Sequence, residues 1–268
     1  MNIFLKITIV GILITILSLG DLMAQENSTT EAETGEWTFL VEPYVMFPNM
    51  NGTVGLGILP NAEIDANTND IFSNLKMGFM LYAEASNGTW AVGSDVLYMK
   101  LGTQKVRSKE LINGSLISAN GELEAKQTGW EVMGLRRVTP WLEVGLGGLI
   151  NSISSDLELT LPAVGGSTTT ASKSITETWF DPMIITRIKS KPREKFIYQF
   201  RGEIGGFGIG SNFAWQIQAY AGYRFSKLFE MSGGYRIISL DYENGSGQDR
   251  FVYDVDTSGP VIRFGFHF

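Results

Sequence analysis

The side chains able to do chemistry are few in kind. There is one histidine, His267, second from the end, and there is no cysteine. Disulfides, thiolate metal sites, a cysteine nucleophile and a lipid anchor on an N-terminal cysteine are therefore excluded. A lone histidine leaves little material for metal binding or acid–base catalysis. Carboxylates remain, and Glu84 with Asp95 suggests a pair for general acid–base work, but nothing in their spacing specifies a reaction. The run GGFGIG at 205–210 lacks the strand–turn–helix context of a phosphate loop and reads as a bend or a close strand contact. No catalytic residue, cofactor or metal is expected.

The charged residues recur at alternate positions of strand-like runs. Assigning faces strand by strand gathers Glu84, Asp95, Glu131, Glu143, Asp181, Arg187, Arg201, Glu203, Arg224, Arg236 and Arg263 on one side. Both signs occur, so these groups can neutralise one another across an enclosed interior, with Gly145, Gly205, Gly222, Gly234 and Gly265 leaving room for the long arginines. Two readings of such an interior stand side by side: a salt-bridged plug, or a narrow solute passage lined by charge.

From Trp37 onward, runs of about ten residues with a hydrophobic period of two alternate with segments rich in Gly, Asn, Ser and Pro, the repeated signature of a membrane barrel. The run 212–225, NFAWQIQAYAGYRF, is the clearest. Trp215, Ile217, Ala219, Ala221, Tyr223 and Phe225 share one face, while Gln216, Gln218, Tyr220, Gly222 and Arg224 share the other. Period alone does not separate a soluble sandwich from a barrel turned inside out. Aromatics near strand ends favour lipid, as interfacial girdles: Trp37 and Tyr44, Trp90 and Tyr98, Trp130, Trp141, Trp179, Trp215 and Tyr223, Phe229 and Tyr235.

This predicts strands near 37–47, 77–87, 89–102, 122–138, 140–155, 175–189, 194–207, 212–225, 228–243 and 251–268, joined by short turns at one end and by long external loops at 103–121 and 156–174. Residues 48–76 admit an external hairpin or two further barrel strands, with NDIFSNLK as a short helix. The expected fold is thus an all-β antiparallel transmembrane barrel of about ten strands, eight to twelve being compatible with the sequence.

Composition agrees. Charged residues are 18% against the roughly 25% usual in soluble domains, and glycine and aromatics are abundant. The net charge is −7 with scattered Lys and Arg, so no nucleic-acid footprint exists. Residues 1–24 read as a cleaved signal peptide: Lys6, an apolar run from Ile7 to Leu19 too short to span, then Leu22, Met23 and Ala24. Residues 25–36 read as a disordered lead-in and 37–268 as the barrel.

The last strand, GPVIRFGFHF, puts Ile262, Phe264, Phe266 and Phe268 on one face, and a terminal Phe after alternate apolar residues resembles the signal read by the outer-membrane assembly machinery. Six segments together resemble a family of small outer-membrane β-barrel proteins of Gram-negative bacteria, in the opacity-like porin superfamily. They are WTFLVEPYVMFPNMNGTVGLG, TNDIFSNLKMGFMLYAEASNGTWAVGSDVLYMKL, WFDPMIITRI, RGEIGGFGIGSNFAWQIQAYAGYRFS, GYRIISLDYENG and YDVDTSGPVIRFGFHF. That pattern places a glycine two residues before Arg187, where this chain has Ile185. The resemblance implies an exported, monomeric, multi-pass outer-membrane protein in contact with lipid and lipopolysaccharide. Its role would be structural or passive small-solute passage. The alternatives are surface ligand binding or adhesion through external loops and, with less support, a lipid hydrolase, whose usual chemistry would need a histidine in its active constellation.

Overall fold

In the computed structural model the described residues are 35–58, 60–110, 116–162, 168–191 and 194–268. The predicted leader and nearly all of the lead-in lie outside them. The strands are β1 (Thr38–Met46), β2 (Asn49–Leu56), β3 (Ala62–Ala66), β4 (Leu75–Ser86), β5 (Trp90–Glu110), β6 (Leu116–Thr139), β7 (Leu142–Pro162), β8 (Thr168–Lys189), β9 (Phe196–Gly205), β10 (Phe213–Arg224), β11 (Phe229–Asn244) and β12 (Phe251–His267). A short helix, α1 (Thr68–Ser73), follows β3.

Ten of these strands, β1 and β4 to β12, form a closed ring of antiparallel neighbours, because β12 pairs back onto β1 with Tyr44 opposite Arg263. The seam is completed at the chain end, where Phe39 and Phe268 exchange backbone hydrogen bonds of 3.0 and 2.9 Å. Closure leaves no free edge around this part of the ring. Tight turns join strands at one end. At the first, Asn87 Oδ1 accepts from the N–H groups of Thr89 and Trp90 at 3.1 and 2.8 Å, and Gly88 supplies the φ of 85° that the turn needs.

Segment 48–76 is an external hairpin plus a helix, and adds no strand to the ring. β2 continues the line of β1 along β12, with Asn49 opposite Ser258, and β3 folds back on β2. Proline causes the break. Pairing between β1 and β4 ends at Pro43 opposite Leu81, and further along the inward row Met46 donates its N–H to the sulfur of Met80 at 3.3 Å. α1 begins at a capping box in which Asn67 accepts from the backbone N–H groups of Asn69 and Asp70, and the Asp70 carboxylate accepts from the N–H of Asn67.

The loops expected at 103–121 and 156–174 are largely strand. β5 and β6 stay in register from Trp90 opposite Arg136 up to Glu110 opposite Leu116, and β7 and β8 from Leu142 opposite Ile188 up to Pro162 opposite Thr168. The sequence hid this because KVRSKE and SSDLELT carry no clean apolar period; a hairpin held mainly by backbone pairing does not need one. β9 and β10 are much shorter, so β8 pairs with β9 only from Met183 to Lys189. Beyond that level the wall divides into two four-stranded sheets, β5–β6–β7–β8 and β11–β12–β2–β3. Their facing sides meet at Trp179, which stacks on Tyr242 with ring centroids 4.1 Å apart and lies 6.5 and 5.9 Å from Phe251 and Tyr253.

Faces alternate as the period of two requires. On β10, Ile217, Ala219 and Ala221 point outward, while Gln216, Gln218 and Tyr220 are buried inside. The outer wall of the ring is covered by large apolar side chains such as Phe39, Phe79, Val132, Leu146, Phe200 and Phe264, all more than a third exposed. A twelve-residue strand such as β10 is about 40 Å long and, at barrel tilt, rises about 30 Å, enough for the roughly 25 Å apolar band of a membrane barrel. Two aromatics assigned above to interfacial girdles face inward instead: Tyr44 and Trp179 are 4% and 5% exposed. Each shares the parity of an inward acid two residues away, Glu42 and Asp181, and parity outweighs position near a strand end.

Trp179→Ala removes the stack that joins the two upper sheets and leaves a cavity among Tyr242, Phe251 and Tyr253. We expect a loss of roughly 3–5 kcal/mol in urea unfolding, against a clearly smaller change for Trp141→Ala on the outer wall.

Candidate functional site: the charged lumen

The inward positions of the lower ring carry a layered set of ion pairs. At its centre Arg201, on β9, meets Glu131 of β6 at 2.9 Å and Asp95 of β5 at 3.6 Å, and its Nε pairs with Glu203. Arg236, on β11, reaches Asp95 at 3.2 Å and donates to the Tyr44 hydroxyl at 2.9 Å. Gln216 ties the two arginine sites together: its amide nitrogen donates to Glu131 and Glu203 at 3.1 and 2.6 Å, and its oxygen accepts from Arg236 at 2.9 Å.

Towards the tight-turn end a second group forms around Arg187 of β8. It pairs with Glu84 and, at 2.5 Å, with Glu143, and it donates to Tyr82 at 2.9 Å. Lys189 contacts both of those carboxylates at 3.2 Å, and Arg137 reaches Glu143 at 3.2 Å. Arg263, on β12, pairs with Glu42 at 3.2 Å and lies over the rings of Tyr82 and Tyr220 at 4.8 and 4.7 Å. At the rim, Glu230 receives Arg224 and His267, each at 2.7 Å.

Of the residues gathered from the sequence, Glu84, Asp95, Glu131, Glu143, Arg187, Arg201, Glu203, Arg236 and Arg263 lie in these groups and are almost wholly buried, while Arg224 sits half-buried at the rim. Glu84 and Asp95 are not a pair: each belongs to a different group. Asp181 stands apart from every arginine. It is fully buried in a cradle of neutral donors, with the N–H and hydroxyl of Ser211 at 2.6 and 2.8 Å, Trp179 Nε1 at 3.1 Å and Asn151 at 3.2 Å. It thereby anchors the β9–β10 loop, where Gly206, Phe207 and Gly208 take φ of 79°, 51° and 71°. This explains the GGFGIGS run as a turn bound to a buried carboxylate.

Glu42, Glu230, Lys189 and Arg137 were not singled out from the sequence, although their parity places them beside those that were. The lumen glycines serve neighbours other than arginine. A Cβ on Gly234 would strike the Tyr220 ring and the Ala219 carbonyl, one on Gly205 would strike Met183, and one on Gly265 the Glu230 side chain. Ile185 packs completely, its Cδ1 occupying the space over Gly147.

Buried charge is tolerated here because each carboxylate has a cationic or hydrogen-bonding partner; stranding one would be costly. The arrangement is solid where it is densest. Arg187, Arg201 and Glu131 are at most 1% exposed, so no aqueous path runs between them. Beyond the apolar band, Lys126 bridges Glu124 and Asp156 at 3.1 and 3.2 Å; Glu124 lies below the usual carboxylate range because Lys100 and then Lys126 hydrogen-bond to it.

No family model and no curated protein matches the sequence. Solved structures similar to this chain include the outer membrane protease OmpT from Escherichia coli, at 8% identity over 90% of this chain and 99% of that one, with a TM-score of 0.45. Others are Ail, the attachment invasion locus protein of Yersinia pestis, at 13%, 87%, 98% and 0.30, and the P. putida toluene transporter TodX, at 7%, 87%, 90% and 0.34 in the same order. Likeness at this level carries no information about activity.

Arg201→Leu leaves Asp95, Glu131 and Glu203 without their common guanidinium and is expected to cost roughly 3–5 kcal/mol in urea unfolding, whereas Arg224→Leu, at the half-exposed rim, costs much less. Equal losses would show that the central group does not hold the ring together.

Proposed function

We propose that this chain is an integral outer-membrane barrel, a structural wall element whose lumen is closed at rest by its ion-paired layer. The observation that carries this reading is the inversion of the ring, with large apolar side chains along its outward rows and charge within, the arrangement that lipid requires and water does not. Of the two interiors compatible with the sequence, the burial of Arg187 and Arg201 favours the plug over the passage. The surroundings proposed are outer-membrane lipid and lipopolysaccharide, with the chain a monomer that carries out no catalysis.

The terminal strand supports export through the assembly machinery. Phe264, Phe266 and Phe268 are exposed on the outer wall with Ile262 on the same row, while His267 turns inward to Glu230. Because the Phe268 backbone also closes the seam, Phe268→Ala separates the side chain from the hydrogen bonds.

Fractionation should recover the protein in the outer membrane, released only by detergent, and the purified barrel in planar bilayers should show no steady single-channel conductance. Recovery in a detergent-free soluble fraction overturns the membrane reading; a steady open channel overturns the plug. Phe268→Ala should lower the heat-modifiable, inserted fraction in cells while His267→Ala leaves it near the parent value. Equal fractions would remove the assembly role of the terminal side chain.

A further inference from the structure

The lumen is not filled above the ion-paired layer. A narrow cavity, leaving about 40 Å³ to the centres of water-sized molecules, has Met46, Met80 and Met99 on its walls and Asp95, Glu131 and Arg236 at its floor. Two residues further along the inward faces of β5 and β6, Leu101 and Ala125 line a second space of about 200 Å³, bounded also by Ile71 of α1. For scale, an apolar cavity of about 150 Å³ accepts benzene. The upper space therefore fits a ring-sized apolar body. The lower one fits a small head group, and its thioether walls can yield around it.

The floor indicates which head group. Asp95, Glu131 and Glu203 form their ion pairs there with Arg201 and Arg236, and Arg263, itself paired with Glu42, also acts on Asp95. Glu131 Oε1 and Asp95 Oδ2 are buried without a hydrogen-bond donor, and Asp95 Oδ2 has only ion-pair contacts with Arg236 and Arg201. The two residues are 1% and 3% exposed. A cation that also donates hydrogen bonds can satisfy these two oxygens.

We propose that the two spaces form one blind pocket, entered from the long-hairpin end, that binds a small primary amine. Its apolar body lies against Leu101 and Ile71, and its ammonium group donates to Glu131 and Asp95. The Arg201 layer closes the bottom, so the ligand is held and not passed through.

The test uses the full barrel in lipid nanodiscs, free of detergent chains that could occupy the pocket, with empty nanodiscs as the blank. Benzylamine, toluene and benzoate are titrated by calorimetry. Benzylamine should bind saturably at one site, toluene about tenfold or more weakly, since it lacks the charge-assisted hydrogen bonds, and benzoate not measurably. Leu101→Trp, at the mouth and away from the ion pairs, should block benzylamine while heat-modifiable mobility shows the barrel intact. Glu131→Gln, where it folds, should erase the preference for benzylamine over toluene. Benzylamine binding no tighter than toluene to the parent, absence of saturable binding, or undiminished binding to Leu101→Trp would each overturn the pocket while leaving the barrel reading in place.

Discussion

Arg201 and the three carboxylates around it are the interaction on which the rest of the structure depends. A ring of strands with an apolar exterior sends every second side chain into a confined interior, and a chain with this many inward acids can close only if cations from other strands meet them. Arg201 comes from β9, Asp95 from β5, Glu131 from β6 and Arg236 from β11, so the ion pairs cross the lumen as well as joining neighbours. They act as cross-braces for a wall whose strand-to-strand hydrogen bonds do not fix its interior. The tyrosines serve the same end: Tyr44 and Tyr82 offer hydroxyls to charged groups and ring faces to Arg263.

Above this braced ring the physics changes. β5 to β8 run on as hairpins while β9 and β10 stop, and the two upper sheets are joined through Trp179, Tyr242, Phe251 and Tyr253 as in a soluble sandwich. One chain thus uses inward charge where the outside is apolar and inward aromatics further along. The transition falls at Asp181, which shares β8 with both regimes and secures the short β9–β10 loop against the step in wall height.

Much of the ring was legible in the sequence because a period of two fixes faces strongly. NFAWQIQAYAGYRF shows its two rows directly, and the inward charges follow from parity alone. Where the period failed, so did the reading. KVRSKE and SSDLELT looked like loop because nothing in them marks a buried face, and Tyr44 and Trp179 were placed on the outer wall by position near a strand end in spite of their parity. The partition of the charges into groups was not legible at all: which carboxylate meets which arginine depends on strands far apart in sequence, and Asp181 shows that an inward acid can be satisfied by backbone and hydroxyl donors. Segment 48–76 turned on Pro43, where the pairing with β4 ends while the chain continues along β12 as β2.

The absence of cysteine makes single-cysteine scanning along β10 a direct measurement of the inverted ring. Cysteines at 215, 217, 219 and 221 in the inserted barrel should be quenched or labelled from within the lipid by a bilayer-soluble reagent, whereas those at 218 and 220 should react neither with that reagent nor with a water-soluble thiol reagent. Rapid aqueous labelling at the even positions would show an open channel, and aqueous labelling at the odd positions would show that the apolar wall does not face lipid.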